Sequence, residues 1–154
     1  MDIRSGAKYP SSTLSNFASN EFEFDGVFCA SMEGLLQSLK FEDVQVQREI
    51  CGRVGIKAKM SGRDVDWKIT HMLFWNGQAF SRFSQEYQTL LDRAFESLSY
   101  NKTFCTALLA TGDAKLKHSV GSVDASETIL TRNEFCDRLT RLRELLSKER
   151  LDLH

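Results

Sequence analysis

Apolar residues recur at helical spacing most plainly between Ser84 and Tyr100, where Tyr87, Leu90, Leu91, Ala94, Phe95 and Leu98 stand at i, i+3, i+4, i+7, i+8 and i+11. At roughly 100° per residue these positions share one face, the signature of a helix packed on a core. A second pattern closes the chain. Thr131-Arg-Asn-Glu134 is a capping box, in which a threonine and a glutamate three residues on satisfy each other's backbone amides. Phe135, Leu139, Leu142, Leu145 and Leu146 then give the last helix its packing face, with its Arg, Glu and Lys residues on the wet side. A shorter helix is predicted from Lys102 to Ala110, stopping at Thr111-Gly112, where glycine suits the C-terminal cap. Nearer the start, Phe22-Glu-Phe24 and Val27-Phe28 flank Asp25-Gly26, a dipeptide favoured in two-residue turns, and predict a short β-hairpin. From Asp43 to Ser61 the apolar Val44, Ile50, Val54, Ile56 and Met60 are interrupted by Gly52 and Gly55, which predicts two short helices, the second ended by Gly62. Asp66-Trp67 is expected to open a further helical segment through Ile69, Met72, Leu73 and Phe74, broken at Trp75-Asn76-Gly77. Residues 1–13, with the sole proline Pro10, read as an irregular lead-in, and Lys115 to Thr131 as an extended loop of the length that often carries function.

One helix does not follow the amphipathic rule. In Ser31 to Phe41, Glu33, Gln37 and Lys40 fall in a narrow polar stripe, each about one turn from the next. Leu36 and Phe41 border that stripe, Leu35 and Leu39 extend the apolar surface, and Gly34 and Ser38 keep the remaining face small. A surface helix is polar over a wider arc. The pattern therefore suggests a mostly buried helix presenting a carboxylate, an amide and an ammonium to a cleft, although the same spacing also suits a solvated ladder of i,i+4 and i,i+3 pairs. Ser31 can cap this helix, and Glu33 in its first turn sits where the helix dipole favours a negative charge, which would help keep it ionised.

Composition narrows the class. A chain of 154 residues with 42% hydrophobic content is the size of one domain with a substantial core. Twenty basic residues against 21 acidic ones leave no bulk charge for nucleic acid or membrane, so any nucleic-acid contact must be local. The best local candidate is Arg48 to Lys68, where Arg48, Arg53, Lys57, Lys59, Arg63 and Lys68 outnumber Glu49, Asp64 and Asp66; such a run is also commonly just a solvated face. The start has no apolar signal region and no run is long enough to cross a membrane, so a soluble, cytoplasmic protein is expected. Cys29, Cys51, Cys105 and Cys136 are scattered and expected to be free thiols. Trp67 is expected in the core, though it could wall a pocket, and His71 and His118 are read as satisfied polar residues rather than metal ligands. No Gly-x-Gly-x-x-Gly turn, phosphate-binding loop, His-Glu-x-x-His or Gly-x-Ser-x-Gly elbow is present.

Taken in order, Leu14-Ser15-Asn16-Phe17, the Asp25-Gly26 hairpin, Ser31-x-Glu33-x-x-x-Gln37-x-x-Lys40-Phe41, Met60-x-Gly62-Arg63, Trp67, Ala107-Leu-Leu-Ala-Thr-Gly and a closing Leu-x-x-Leu-Arg helix resemble the NADAR superfamily, also called YbiA-like. The resemblance covers nearly the whole chain and implies a single domain over residues 1–154, a mainly α (α+β) compact helical fold with a short β-hairpin. It implies chemistry on the N-glycosidic bonds of ribosides: removal of ADP-ribose from ADP-ribosylated guanine in nucleic acid or, alternatively, cleavage of phosphoribosylated intermediates of riboflavin synthesis. A module that binds ADP-ribose without cleaving it is the non-enzymatic alternative. Carried over by position, Glu33 and Lys40 are the expected catalytic pair. Asn16, Phe17, Gln37, Arg63, Trp67 and Asp124 are expected to bind substrate, with no metal or cofactor required. Gly34-Leu35-Leu36 stands where many relatives carry His-Tyr-Phe, and His118 where many carry glutamate.

Overall fold

The computed structural model describes residues 1–152. In chain order the elements are α1 (Ser11–Leu14), β1 (Phe22–Phe24), β2 (Val27–Cys29), α2 (Met32–Ser38), α3 (Val44–Cys51), α4 (Gly55–Ser61), β3 (Met72–Trp75), β4 (Gln78–Ser81), α5 (Gln85–Leu98), α6 (Lys102–Ala110) and α7 (Arg132–Asp152). This is an α+β architecture of helices around two small antiparallel hairpins. None of the described helices is long and apolar enough to cross a membrane.

Both hairpins turn on left-handed pairs: Asp25-Gly26 with φ of 49° and 78°, and Asn76-Gly77 with φ of 50° and 88°. Positive φ at both central residues gives the turn whose twist matches the strands on either side. The first hairpin is the predicted one. The second replaces the helix expected from Asp66: residues 67–70 form a turn, and β3 pairs with β4 from Met72↔Ser81 to Trp75↔Gln78. The apolar run Met72–Phe74 is too short for periodicity to separate helix from strand, and Asn76-Gly77 decides in favour of the strand. The hairpins are joined through Asp25, whose carboxylate accepts from Trp75 Nε1 and from Arg93 Nη1, each at 2.8 Å.

The capping chemistry predicted for the helices is present. Ser31 accepts from the Gly34 amide at 3.0 Å, and Ser84 caps α5, whose predicted stripe from Tyr87 to Leu98 is buried throughout. Asn101 caps α6, and Thr131 and Glu134 exchange the two bonds of the capping box at 3.1 and 2.8 Å. On α7, Phe135 and Leu139 are buried and Leu142 and Leu146 pack on the core, but Leu145 is half exposed. Two arginines expected on the wet side of α7 are buried instead. Arg143 donates to Thr111 Oγ1 and the Ala114 carbonyl, and Arg138 to the Glu134 and Gln88 carbonyls. All four cysteines are free, and Cys29 and Cys51 are buried.

The lead-in is less irregular than expected. It contains α1, and Met1–Ile3 runs alongside residues 115–119: the Ile3 amide donates to the Lys117 carbonyl and the Lys117 amide to the Met1 carbonyl, each at 2.8 Å. Ile3 is fully buried, which fixes this strap to the core.

Helix α2 is enclosed by α3, α4 and β2. A Cβ built on Gly34 would lie 2.8 Å from the carbonyl oxygens of Ile50 and Arg53 and 3.1 Å from that of Cys51, so only glycine lets α2 approach the end of α3 this closely. These atoms are backbone and cannot swing aside. Gly34→Ala is expected to cost about 1–3 kcal/mol, read as a lower urea midpoint with an unchanged slope. Beyond α2, the buried Gln47 donates from Nε2 to the carbonyls of Phe41 and Phe74 and accepts from the Asn76 amide, tying the helix exit to the second hairpin.

Candidate active site

The polar stripe of α2 faces a cleft of about 810 Å³. Glu33, Gln37 and Lys40 form one wall. Asn16 and Phe17 come from the turn after α1, Gly62 to Lys68 from the end of α4 and the segment beyond it, and His118, Val120 to Ser122 and Glu127 to Leu130 from the long loop. Each wall has an identifiable anchor. The Glu33 amide donates to the Asn16 carbonyl at 3.0 Å and the Gly55 amide to the Phe17 carbonyl at 3.1 Å, setting the Asn16–Phe17 turn against α2 and α4. The long loop is held by Arg82, only 1% exposed, which donates to the Thr128 carbonyl at 2.9 Å and makes a two-pronged ion pair with Glu134 at 2.6 and 3.0 Å. Tyr87 donates its hydroxyl to the Ile129 carbonyl. Lys68 and Glu127, both lining the cleft, pair at 2.9 Å, and His71 Nε2 donates to the Ser126 carbonyl at 3.0 Å.

Within the stripe, Gln37 Nε2 donates to Glu33 Oε1 at 2.9 Å, while Gln37 Oε1 is buried without a partner. A buried acceptor left this way is costly unless a ligand donor completes it. A Cβ on Gly62 would fall 2.0 Å from that oxygen and 2.9 Å from Lys40 Cδ, so the glycine makes room for both side chains. Lys40 Nζ lies 5.8 Å from the Trp67 ring centre, and Lys59 Nζ 6.0 Å from that of Phe17. Neither Glu33 nor Lys40 joins an ion pair among the described residues.

Burial shifts the two groups in opposite directions. It pushes the Glu33 carboxyl above its ordinary range, outweighing the Gln37 hydrogen bond and the charges of Lys59 and Lys40. The helix N-terminus favours the ionised form of Glu33, and burial, the largest influence on this carboxyl, works against it. Burial also pushes the Lys40 ammonium below its ordinary range, against the opposing pull of Glu33, with Lys68 and Lys59 adding in the same direction. A carboxyl biased toward its neutral form can donate a proton, and an amine biased toward its neutral form can offer a lone pair or accept a proton, without first shedding a hydration shell.

Seven of the eight residues expected at the site, Asn16, Phe17, Glu33, Gln37, Lys40, Arg63 and Trp67, line this one cleft. Asp124 does not: it is exposed, and its carboxylate accepts from the Ser126 amide and hydroxyl, shaping its own turn. Trp67 is both buried and a cleft wall. Of the basic stretch, Lys59, Arg63 and Lys68 line the cleft and Arg48, Arg53 and Lys57 do not. Leu35 and Leu36 are core residues, and the aromatic faces of the cleft come from Phe17 and Trp67. Sequence reasoning missed Arg4, Ser5 and Gly6, which reach the cleft through the strap and have no local signal, and it read His118, which lines the cleft, as merely satisfied. Among the described residues no group of three His, Cys, Asp or Glu side chains is arranged to hold a metal.

The NMR structure of the E. coli protein YbiA matches with a TM-score of 0.63, covering 100% of this chain and 88% of that one at 22% identity, a likeness of fold. The uncharacterized 17.1 kDa protein of the Gp30-rIII intergenic region of Enterobacteria phage T4 is 41% identical over 149 residues, which is 95% of this chain and 98% of the phage protein. The family described as bacteriophage protein GP30.3 matches residues 8–144. With its match running from the strap side of α1 well into α7, the chain belongs to the bacteriophage protein GP30.3 family.

Proposed function

We propose that this chain is a NADAR-type N-glycosidic hydrolase that removes ADP-ribose from ADP-ribosylated guanine in nucleic acid. The observation that carries this reading is the pairing, in one cleft, of a carboxyl and an amine that burial biases toward their neutral forms and that no ion pair quenches. The YbiA-like fold and the ordered motif around α2 support it. Breaking a riboside C–N bond builds positive charge at C1′, and a nearby carboxyl group that can ionise as this charge develops stabilises it. The Lys40 amine attacks C1′ with its lone pair as the bond to the base nitrogen breaks; the electron pair of the broken bond stays on the base, which takes the proton Glu33 supplies. The proton lost from the lysine nitrogen passes to the ring oxygen as the bond from C1′ to that oxygen breaks, giving an iminium that water hydrolyses to free sugar and amine. Gln37 orients a sugar hydroxyl, and Arg63 with Lys59 and Lys68 meets phosphate.

The substrate class is read from salt dependence. If Lys59, Arg63 and Lys68 each neutralise one phosphate of a single strand, kcat/KM on a modified oligonucleotide falls about 20-fold between about 50 and 200 mM salt. A cleft lined by five Lys or Arg (Arg4, Lys40, Lys59, Arg63, Lys68) and four Asp or Glu (Glu33, Asp64, Asp66, Glu127) keeps a second reading open, cleavage of a phosphoribosyl pyrimidine of riboflavin synthesis. Fast turnover of that small riboside with a flat salt profile would favour it over the nucleic-acid reading.

A further inference from the structure

The loop from Lys115 to Thr131 brings one titratable ring to the cleft that the mechanism above leaves unused. His118 Nδ1 lies 2.8 Å from the Ile3 carbonyl, an atom that can only accept. Nδ1 therefore carries the proton, and in the neutral ring Nε2 holds a free lone pair. Among the described residues Nε2 makes no hydrogen bond, and the ring borders the same cleft as Glu33, Gln37 and Lys40. The ring is clamped: its edge meets Phe135 with centroids 5.0 Å apart and planes at 76°, and Ile3 is fully buried within the strap that pairs with Lys117. Gly121 completes the setting. A Cβ there would stand 2.5 Å from Cδ2 and 3.2 Å from Nε2, so the missing side chain is what leaves this edge of the ring its space. Donor to a rigid carbonyl on one nitrogen and without a hydrogen-bond partner on the other, in a ring that lines the cleft, is the arrangement of an oriented general base.

We infer that His118 is a further catalytic residue, the base that takes a proton from the water that releases the sugar from Lys40. This rests on the hydrolytic reading above. Water attacks C1′ of the iminium, its proton passes to Nε2, and a carbinolamine forms. The C–N bond to Lys40 then breaks, the electron pair stays on the lysine nitrogen, and that nitrogen takes the proton from His118; the carbinolamine hydroxyl loses its proton to solvent as the carbonyl forms. The strap explains its own presence at the site, since it supplies the oxygen that fixes the ring.

The test compares wild type with His118→Asn, whose amide can still donate to the Ile3 carbonyl, and with Gly121→Ala, which crowds the ring without removing it. Both are assayed on an ADP-ribosylated guanine oligonucleotide with borohydride present or absent. For His118→Asn the expected results are a fall in turnover of about 10²–10⁴-fold, more borohydride-trapped adduct than in wild type, and partial rescue by added imidazole. Gly121→Ala is expected to show a smaller fall with the same adduct build-up. Wild-type turnover matched by His118→Asn, or loss of turnover with loss of adduct, would overturn the inference and leave the hydrolase reading standing. No turnover by wild type would overturn both together.

Discussion

Lys40→Ala is expected to reduce turnover by at least about 10³-fold and to abolish any borohydride-trapped adduct, while the fold survives. The side chain is not a structural cation: it makes no ion pair among the described residues, and its stem rests on Gly62 beside Trp67. Its burial, partial by exposure, favours the neutral amine that a nucleophile needs and makes the ammonium the costly form. Lys40→Arg separates the two roles, because guanidinium keeps the charge but is neither deprotonated nor nucleophilic. It should restore no turnover and no adduct. Single-turnover assays with intact-mass detection read both quantities, and thermal unfolding shows whether loss of function is loss of structure. Turnover of wild type without adduct under reductant would retain the cleft but remove the covalent step, leaving Lys40 as a hydrogen-bond donor to the departing base.

Glu33→Gln is expected to lose about 10²–10³-fold in turnover and, at the same time, to stabilise the protein by about 0.5–2 kcal/mol near neutral pH. The substituted amide still accepts from Gln37 Nε2, so the hydrogen bond across the stripe is preserved. The stability effect has a definite pH sign. A carboxyl whose folded pKa is raised contributes its full stability below the unfolded value of about 4.5 and loses it as pH rises through the folded value. The variant has no such loss, so the difference in Tm between Glu33→Gln and wild type should widen from about pH 4 to about pH 8. A difference that narrowed over that range would mean that Glu33 is held ionised, and the acid role assigned to it would fall. Stability surrendered at a reactive group is the usual relation between a strained site and its activity.

Helices and caps were legible where the cause is local. The stripe of α5, the capping box of α7, Ser31 before α2 and the Asp25-Gly26 turn all depend on residues a few positions apart, and all are found as expected. The second hairpin rests on the same kind of turn, Asn76-Gly77, but the apolar run before it also fits a helix. The remaining features are set by long-range contacts that leave no local trace. Ile3 reaches His118 across 115 residues of sequence, and Arg82 reaches Glu134 across 52. Arg138 and Arg143 of α7 look like part of a wet face until α5 and the turn after α6 close over them. For the site, the residues on α2 were legible because a narrow polar stripe on an otherwise apolar helix is anomalous in itself. Asp124 was placed by resemblance alone, and it stands outside the cleft.

Cleavage of a base–sugar bond in the α2 cleft is the central expectation for this protein. Incubating wild type and Lys40→Ala with an oligonucleotide carrying ADP-ribosylated guanine, and separating the products by mass, tests that directly. The expected result is free ADP-ribose and an unmodified guanine oligonucleotide from wild type and neither from the variant. Binding of the oligonucleotide by both proteins with release by neither, on this substrate or on the ribosylaminopyrimidine, would contradict it and make the cleft a binding site alone.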